Sequence, residues 1–154
     1  MSNVSLPLWI SVLQGLLTPT IALLGAYIGW QQWRTNRNKL KLDLFERRYT
    51  MYDAAVQLIN SILRSGKATQ EAIFEFTSKT RSANFIVGKG IAIYLDGELR
   101  ARAIDLETLQ VELSSLQGPE RVDNLKKQSD LKRWFAEQYD VLQQRFKSQL
   151  NLRH

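Results

Sequence analysis

The chain has 154 residues, is 44% hydrophobic and 23% charged, and carries 21 Lys+Arg against 15 Asp+Glu for a formal net charge of +6. These values exclude wholesale disorder, collagen-like and low-complexity classes, and the length gives room for one domain. There is no cysteine, and the one histidine is the terminal His154. Disulfides, thiolate zinc sites, iron–sulfur clusters and thiol nucleophiles are therefore excluded, and histidine acid–base chemistry lacks a positioned group.

Charge is distributed very unevenly. Residues 1–33 contain no Asp, Glu, Lys, Arg or His. Leu8 to Trp30 spans 23 residues, of which 15 are apolar and 3 are Gly. At ~1.5 Å per residue this stretch is roughly 35 Å long, against a hydrocarbon core of about 30 Å. Trp9 stands at one end and Tyr27, Trp30 and Trp33 at the other, a spacing that suits two interfacial aromatic belts. Residues 1–33 are thus predicted to be a transmembrane anchor with its span at about 8–30, and a modest kink is expected at Pro19. The alternative is a buried core helix. A cleaved signal peptide is not expected, because a basic start and a small-residue cleavage site are missing.

Within the span, Gly15, Thr18, Ala22, Gly25, Ala26 and Gly29 recur at three- and four-residue spacing on one helix face. Small residues let two backbones approach closely in lipid, so this face is predicted to drive homo-oligomer formation.

Arg34, Arg37, Lys39 and Lys41 follow the span, and no basic residue precedes it. The positive-inside bias then expects the N-terminus outside and residues 34–154 in the cytoplasm, with the four basic side chains contacting anionic lipid. Nucleic acid is not an expected partner, because residues 49–154 carry 15 basic and 13 acidic residues and imply no broad basic face.

The remainder reads as an antiparallel helical bundle, with helices at about 34–64, 68–84, 89–116 and 120–150. In the first, Leu44, Arg48, Met51, Ala55, Leu58 and Ile62 form one stripe. Phe45, Tyr49, Tyr52, Val56, Ile59 and Leu63 form a second beside it. Ser65-Gly66 supplies the stop. The second helix shows Ile73, Phe76, Thr80 and Ala83 on one face, with Glu75 and Lys79 as a supportive pair. Residues 85–97 fit either a small hairpin or a turn at Gly88 followed by a helix, and the helical flanks favour the latter. Leu95, Leu99, Ala103, Leu106, Leu109, Leu113 and Leu116 are the expected packing face of the third helix. Gly118-Pro119 breaks the chain before the fourth, which carries Leu125, Leu131, Trp134, Phe135, Gln138, Leu142 and Phe146.

No constellation for chemistry emerges. Gly88-Lys89-Gly90 lacks the phosphate-loop pattern, and the acidic residues Glu71, Glu75, Glu98, Glu107 and Glu112 read as solvated helix faces. The Phe45–Tyr49 segment could serve as a recognition patch for a partner or an anionic ligand, but the favoured reading is ordinary helix, with Asp43 pairing Arg47 and Arg48 packing its stem beside Tyr52. No catalytic residue, cofactor or metal site is expected.

Trp33 with its basic run, Leu40-Lys-Leu42-Asp-Leu44-Phe45-Glu46-Arg47-Arg48-Tyr49, Phe85-Ile-Val-Gly88-Lys and Trp134-Phe135 with Phe146 together resemble a group of small uncharacterised bacterial single-pass membrane-anchored helical proteins. The resemblance implies a bacterial inner-membrane location and lends no activity. The expected fold is all-α, with one N-terminal transmembrane helix continuing into a cytoplasmic antiparallel helical bundle. The expected function is non-enzymatic, namely protein–protein interaction or self-assembly at the membrane. The alternative is a membrane-perturbing effector of a bacterial defence or toxin system.

Overall fold

The computed structural model describes residues 8–151, with side chains from residue 19 onward. Every regular element among them is helical: α1 (Leu8–Ser65), α2 (Gln70–Thr80), α3 (Ala83–Ile86), α4 (Lys89–Ile93), a π-helical segment (Tyr94–Arg100), α5 (Ala101–Glu112) and α6 (Gly118–Phe146). The chain divides into two compact units, Met1–Leu42 and Asp43–His154. The boundary falls inside α1, nine residues beyond the end of the anchor expected at residue 33.

In the first unit every described residue from Pro19 to Leu42 is exposed. Among the described residues, no helix is long and apolar enough to cross a membrane. The reason is visible in the sequence: from Pro19 onward the apolar run soon meets Gln31, Gln32 and Arg34. The expected span of about 8–30 is therefore not supplied by the described residues, and its first part, residues 8–18, lies outside the described side chains.

The second unit is a packed helical body. Helix α1 stops because Gly66 takes φ +69 and its N–H donates back to the Ile62 carbonyl at 2.8 Å, which satisfies an otherwise orphaned terminal carbonyl. Thr69 caps α2 by accepting from the Ala72 N–H at 3.2 Å. Gln110 of α5 clamps the intervening loop, donating to the Gly66 carbonyl at 3.0 Å and accepting from the Ala68 N–H at 3.2 Å.

The helix expected over 68–84 ends at Thr80, and a turn separates it from the single helical turn α3. Gly88, at φ +87, lets the chain turn before α4 starts. Residues 85–97 thus form helical turns rather than a hairpin. The helix expected over 89–116 is three joined segments, α4, the π-helical segment and α5, and ends at Glu112. Helix α6 opens at Gly118, with Pro119 in its first turn.

The second half of α1 runs antiparallel to α6. Arg48 meets Gln149, Tyr52 meets Phe146 and Asn60 meets Tyr139, so one residue number falls as the other rises. The helical run from α4 to α5 is also antiparallel to α6, since Tyr94 meets Gln138, Arg102 meets Trp134, and the Leu109 carbonyl meets Asn124 and Gln128. The core between them holds Leu58, Ile59, Ile62, Phe76, Tyr94, Leu95, Leu99, Leu106, Phe135, Leu142 and Phe146, each at most 2% exposed.

Several side chains depart from the expected packing faces. Leu125 is 46% exposed, whereas Asn124 and Gln128 are buried. Both donate to the Leu109 carbonyl, at 3.1 and 3.2 Å, and Gln128 also donates to Asn124 Oδ1 at 2.8 Å. The Leu109 carbonyl also accepts from the Leu113 N–H at 3.1 Å, so the two amides add to its helical bond and tie the end of α5 to α6. On α1, Leu44, Tyr49 and Leu63 of the expected stripes are exposed.

Candidate functional site

Two regions stand out from ordinary fold-forming positions. The first lies on α1 within residues 19–42. At about 100° per residue, Ile21, Leu23, Leu24, Tyr27, Ile28 and Trp30 spread over roughly the half of the helix surface opposite a sector of about 100° that holds Ala22, Gly25, Ala26 and Gly29. The large side chains are 51–73% exposed. A Cβ built on Gly25 or Gly29 meets nothing within 4 Å, so the small-residue sector is an open, flat strip. Gly15 and Thr18, the other members of the predicted packing face, and Trp9 of the predicted aromatic belt lie outside the described side chains.

The strip ends in a basic and aromatic collar. Arg34 places its guanidinium 5.9 Å from the Trp30 ring centre, and Arg37 places its own 4.7 Å from the Trp33 ring centre. Tyr27 and Trp30 lie ring to ring at 6.4 Å. Each arginine sits four residues after its tryptophan, one helical turn on, which is why the pairs form. Lys39 and Lys41 are exposed on the same helix. The predicted interfacial aromatics and lipid contacts are thus brought together in two groups, Tyr27–Trp30–Arg34 and Trp33–Arg37.

The second region belongs to the helical unit. Between α2, α3 and the π-helical segment runs a groove of about 410 Å³ whose lining includes Thr77, Arg81, Asn84, Ile93, Asp96 and Arg100. Asp96 and Arg100 are paired at 2.6 Å. Ile93 of the lining is 66% exposed, and Phe85 of α3 is 92% exposed, an extreme value for a phenylalanine in a folded unit.

The π-helical segment, Tyr94–Arg100, carries little signature in the sequence. Its i to i+5 pattern aligns Tyr94 with Leu99, both wholly buried, where a regular helix would rotate them apart. The signal available was Gly97 within an otherwise good helix former run. Burial pushes the Tyr94 hydroxyl up to about 12, with Arg145 acting against the shift and Glu98 adding to it. Arg145 stacks on the Tyr94 ring at 4.4 Å and reaches Glu98 at 3.8 Å, so Glu98 is half-buried rather than a freely solvated residue.

Arg48 does more than pack beside Tyr52. Its Nε donates to the Ile86 carbonyl and its terminal nitrogen to the Gln149 carbonyl, both at 3.2 Å. The expected pairs Asp43–Arg47, Glu75–Lys79 and Asp123–Lys127 form at 3.4, 2.7 and 2.7 Å. Among the described residues there is no cluster of three or more side chains suited to hold a metal ion.

No protein-family model, no curated protein and no solved structure matches this chain. The resemblance to small bacterial membrane-anchored proteins rests on the sequence motifs alone.

Proposed function

We propose that this protein is a membrane-tethered interaction module. Residues 8–30 enter the bilayer with the N-terminus outside, Arg34, Arg37, Lys39 and Lys41 lie at the inner leaflet, and the helical unit works on the cytoplasmic side of a bacterial inner membrane. The unit binds a second copy of the chain or a protein partner, and it carries no catalytic, cofactor or nucleic-acid role in this reading.

One observation carries the reading: large apolar side chains from Ile21 to Trp30 are exposed over all of the helix surface that the small-residue strip leaves. Each would be stabilised by about 1.5–3 kcal/mol on leaving water, and a helix apolar on all sides is a buried or membrane element. Among the described residues these side chains remain exposed. The uncharged sequence preceding them back to Leu8 gives the length a bilayer requires, and the arginine–tryptophan collar suits the boundary where apolar and charged surroundings meet.

Fractionation of cells expressing the full chain tests this. The protein should pellet with membranes and resist alkaline carbonate. Because the chain has no cysteine, Ser2→Cys should react with an impermeant maleimide in intact cells, and Ser148→Cys only after the membrane is opened. A chain recovered in the soluble fraction overturns the proposal.

The open strip at Ala22, Gly25, Ala26 and Gly29 also favours a second reading, in which assembled copies perturb the membrane as an effector of a defence or toxin system. Growth arrest and depolarisation on induction, lost when the span is replaced by polyleucine, would select it. Normal growth with intact membrane potential would remove it.

A further inference from the structure

We infer that the corner formed by α3, Gly88 and α4 is a second membrane contact, a docking tip for an anionic bilayer surface. The inference rests on the membrane reading above. Phe85 and Ile93 project from this corner, 92% and 66% exposed, while the inner side of the same short helices is firmly packed: Ala83, Val87, Ile91 and Ala92 are buried, and Arg48 holds the Ile86 carbonyl at 3.2 Å. The tip is therefore apolar by construction and not because a loop hangs loose.

Its charge identifies the surface it fits. Residues 76–95 contain three basic residues, Lys79, Arg81 and Lys89, and no acidic one. Lys79 is paired with Glu75, whereas Arg81 and Lys89 form no ion pair among the described residues. Lys89 and Ile93 stand four apart on α4, one turn from each other on one face. An exposed aromatic with flanking cations on short helices is the pattern that inserts its apolar side at the headgroup boundary and lays its cations on anionic lipid. A stable protein interface buries about 800 Å² per partner, far more than two projecting side chains offer, whereas a bilayer needs no matching pocket. Arg81 and Asn84 line the neighbouring groove of about 410 Å³ together with the Asp96–Arg100 pair; with Asp96 already neutralised by Arg100, Arg81 is the cation left to meet a headgroup phosphate there.

The test uses the full chain in vesicles of phosphatidylcholine alone and of phosphatidylcholine with phosphatidylglycerol in equal parts. Gly90→Cys and Gly25→Cys place an environment-sensitive fluorophore at two sites where an added side chain meets nothing within 4 Å; Ser129→Cys, on exposed α6 surface, serves as control. The Gly90 probe should shift to the blue and be quenched by spin-labelled lipid in the anionic vesicles only, with loss of that response in high salt and in the Phe85→Ser, Lys89→Gln double variant. The Gly25 probe should respond in both vesicle types and in the variant, and the control in neither. A Gly90 probe that stays in water while the Gly25 probe is in lipid overturns the docking tip and leaves the membrane reading standing. A Gly25 probe in water overturns the membrane reading itself. Equal Gly90 responses in both vesicle types overturn the anionic specificity, and a concentration-dependent response in detergent without lipid assigns the corner to a second copy instead and overturns the inference.

Discussion

The Tyr94 hydroxyl donates to Gln138 Oε1 at 3.1 Å in the centre of the helical unit, and Gln138 in turn donates to the Trp134 carbonyl at 3.0 Å. The bond ties the π-helical segment to α6 at a point where neither side chain is exposed above 4%. Burial pushes the hydroxyl up to about 12 from its ordinary 10.0. The folded chain therefore keeps its proton where the unfolded chain has lost it, and folding stability is independent of this group below pH 10 and falls as pH rises from 10 towards 12. Tyr94→Phe should flatten that alkaline loss. It should also cost about 1–3 kcal/mol at neutral pH, because Gln138 Oε1 is left buried without a donor. Urea unfolding followed across pH 7–11.5 checks both effects. An unchanged alkaline slope in the variant would show that Tyr94 is not its source.

Two glycines two residues apart should respond to alanine with opposite signs. Gly88 adopts φ +87 and ψ 160, a region that only glycine enters without strain, so Gly88→Ala should destabilise by ~1–3 kcal/mol. Gly90 sits inside α4 with nothing within 4 Å of an added Cβ, so Gly90→Ala should stabilise by about 0.5–1 kcal/mol. The denaturation midpoints of the two variants, compared with the parent chain, decide this.

What the sequence revealed follows the strength of its periodicity. Met51, Ala55, Leu58 and Ile62 recur at three and four residues and are all buried, because in a helix that spacing alone fixes the face. The same rule applied to Leu125 failed. In the first turns of α6 the packed residues are Asn124 and Gln128, which bury their amides by donating to the Leu109 carbonyl, with Gln128 also donating to Asn124, and a hydrophobic pattern carries no trace of such polar packing. The π-helical segment was hidden for a related reason, since one widened turn shifts register by less than the spread of an apolar stripe. For residues 85–97 the periodicity fitted two structures, and it gave no sign that Phe85 would be almost fully exposed. For α1 the limit is different. Its charge-free composition was plain, but the arrangement of Arg34 over Trp30 and Arg37 over Trp33 required the helix to continue without a break past residue 33.

Arg48 joins three parts of the helical unit. It leaves α1 and reaches the Ile86 carbonyl at the end of α3 and the Gln149 carbonyl just beyond α6. A guanidinium serves both because its donors are fixed in one plane and its charge complements two helix C-termini. Arg48→Lys retains the charge but offers a single point of contact, so it should lose about half of the effect of Arg48→Ala, which we place at ~1.5–3 kcal/mol from the strength of charge-assisted bonds. Hydrogen exchange provides the local check: amides of residues 83–87 and 146–150 should gain exchange in both variants, while those around Leu106 stay protected. Uniform loss of protection would assign Arg48 a general packing role instead.

Self-association through the small-residue strip admits a clean test, because the strip contributes nothing to the fold of the single chain. Gly25 and Gly29 have open space around them, and leucine is a better helix former than glycine. Gly25→Leu with Gly29→Leu should therefore leave α1 at least as helical as before while blocking the close approach of two backbones. Interfaces of this kind are held by packing and by contacts of about 1 kcal/mol each, so two leucines suffice to abolish them. A membrane reporter fused to residues 1–42 should lose its signal in the double variant and keep it in Leu23→Ala with Leu24→Ala, which alters the opposite side of the helix. Equal signals from parent and glycine variant would show that the strip is not the contact face, and any oligomer would then have to form through the helical unit.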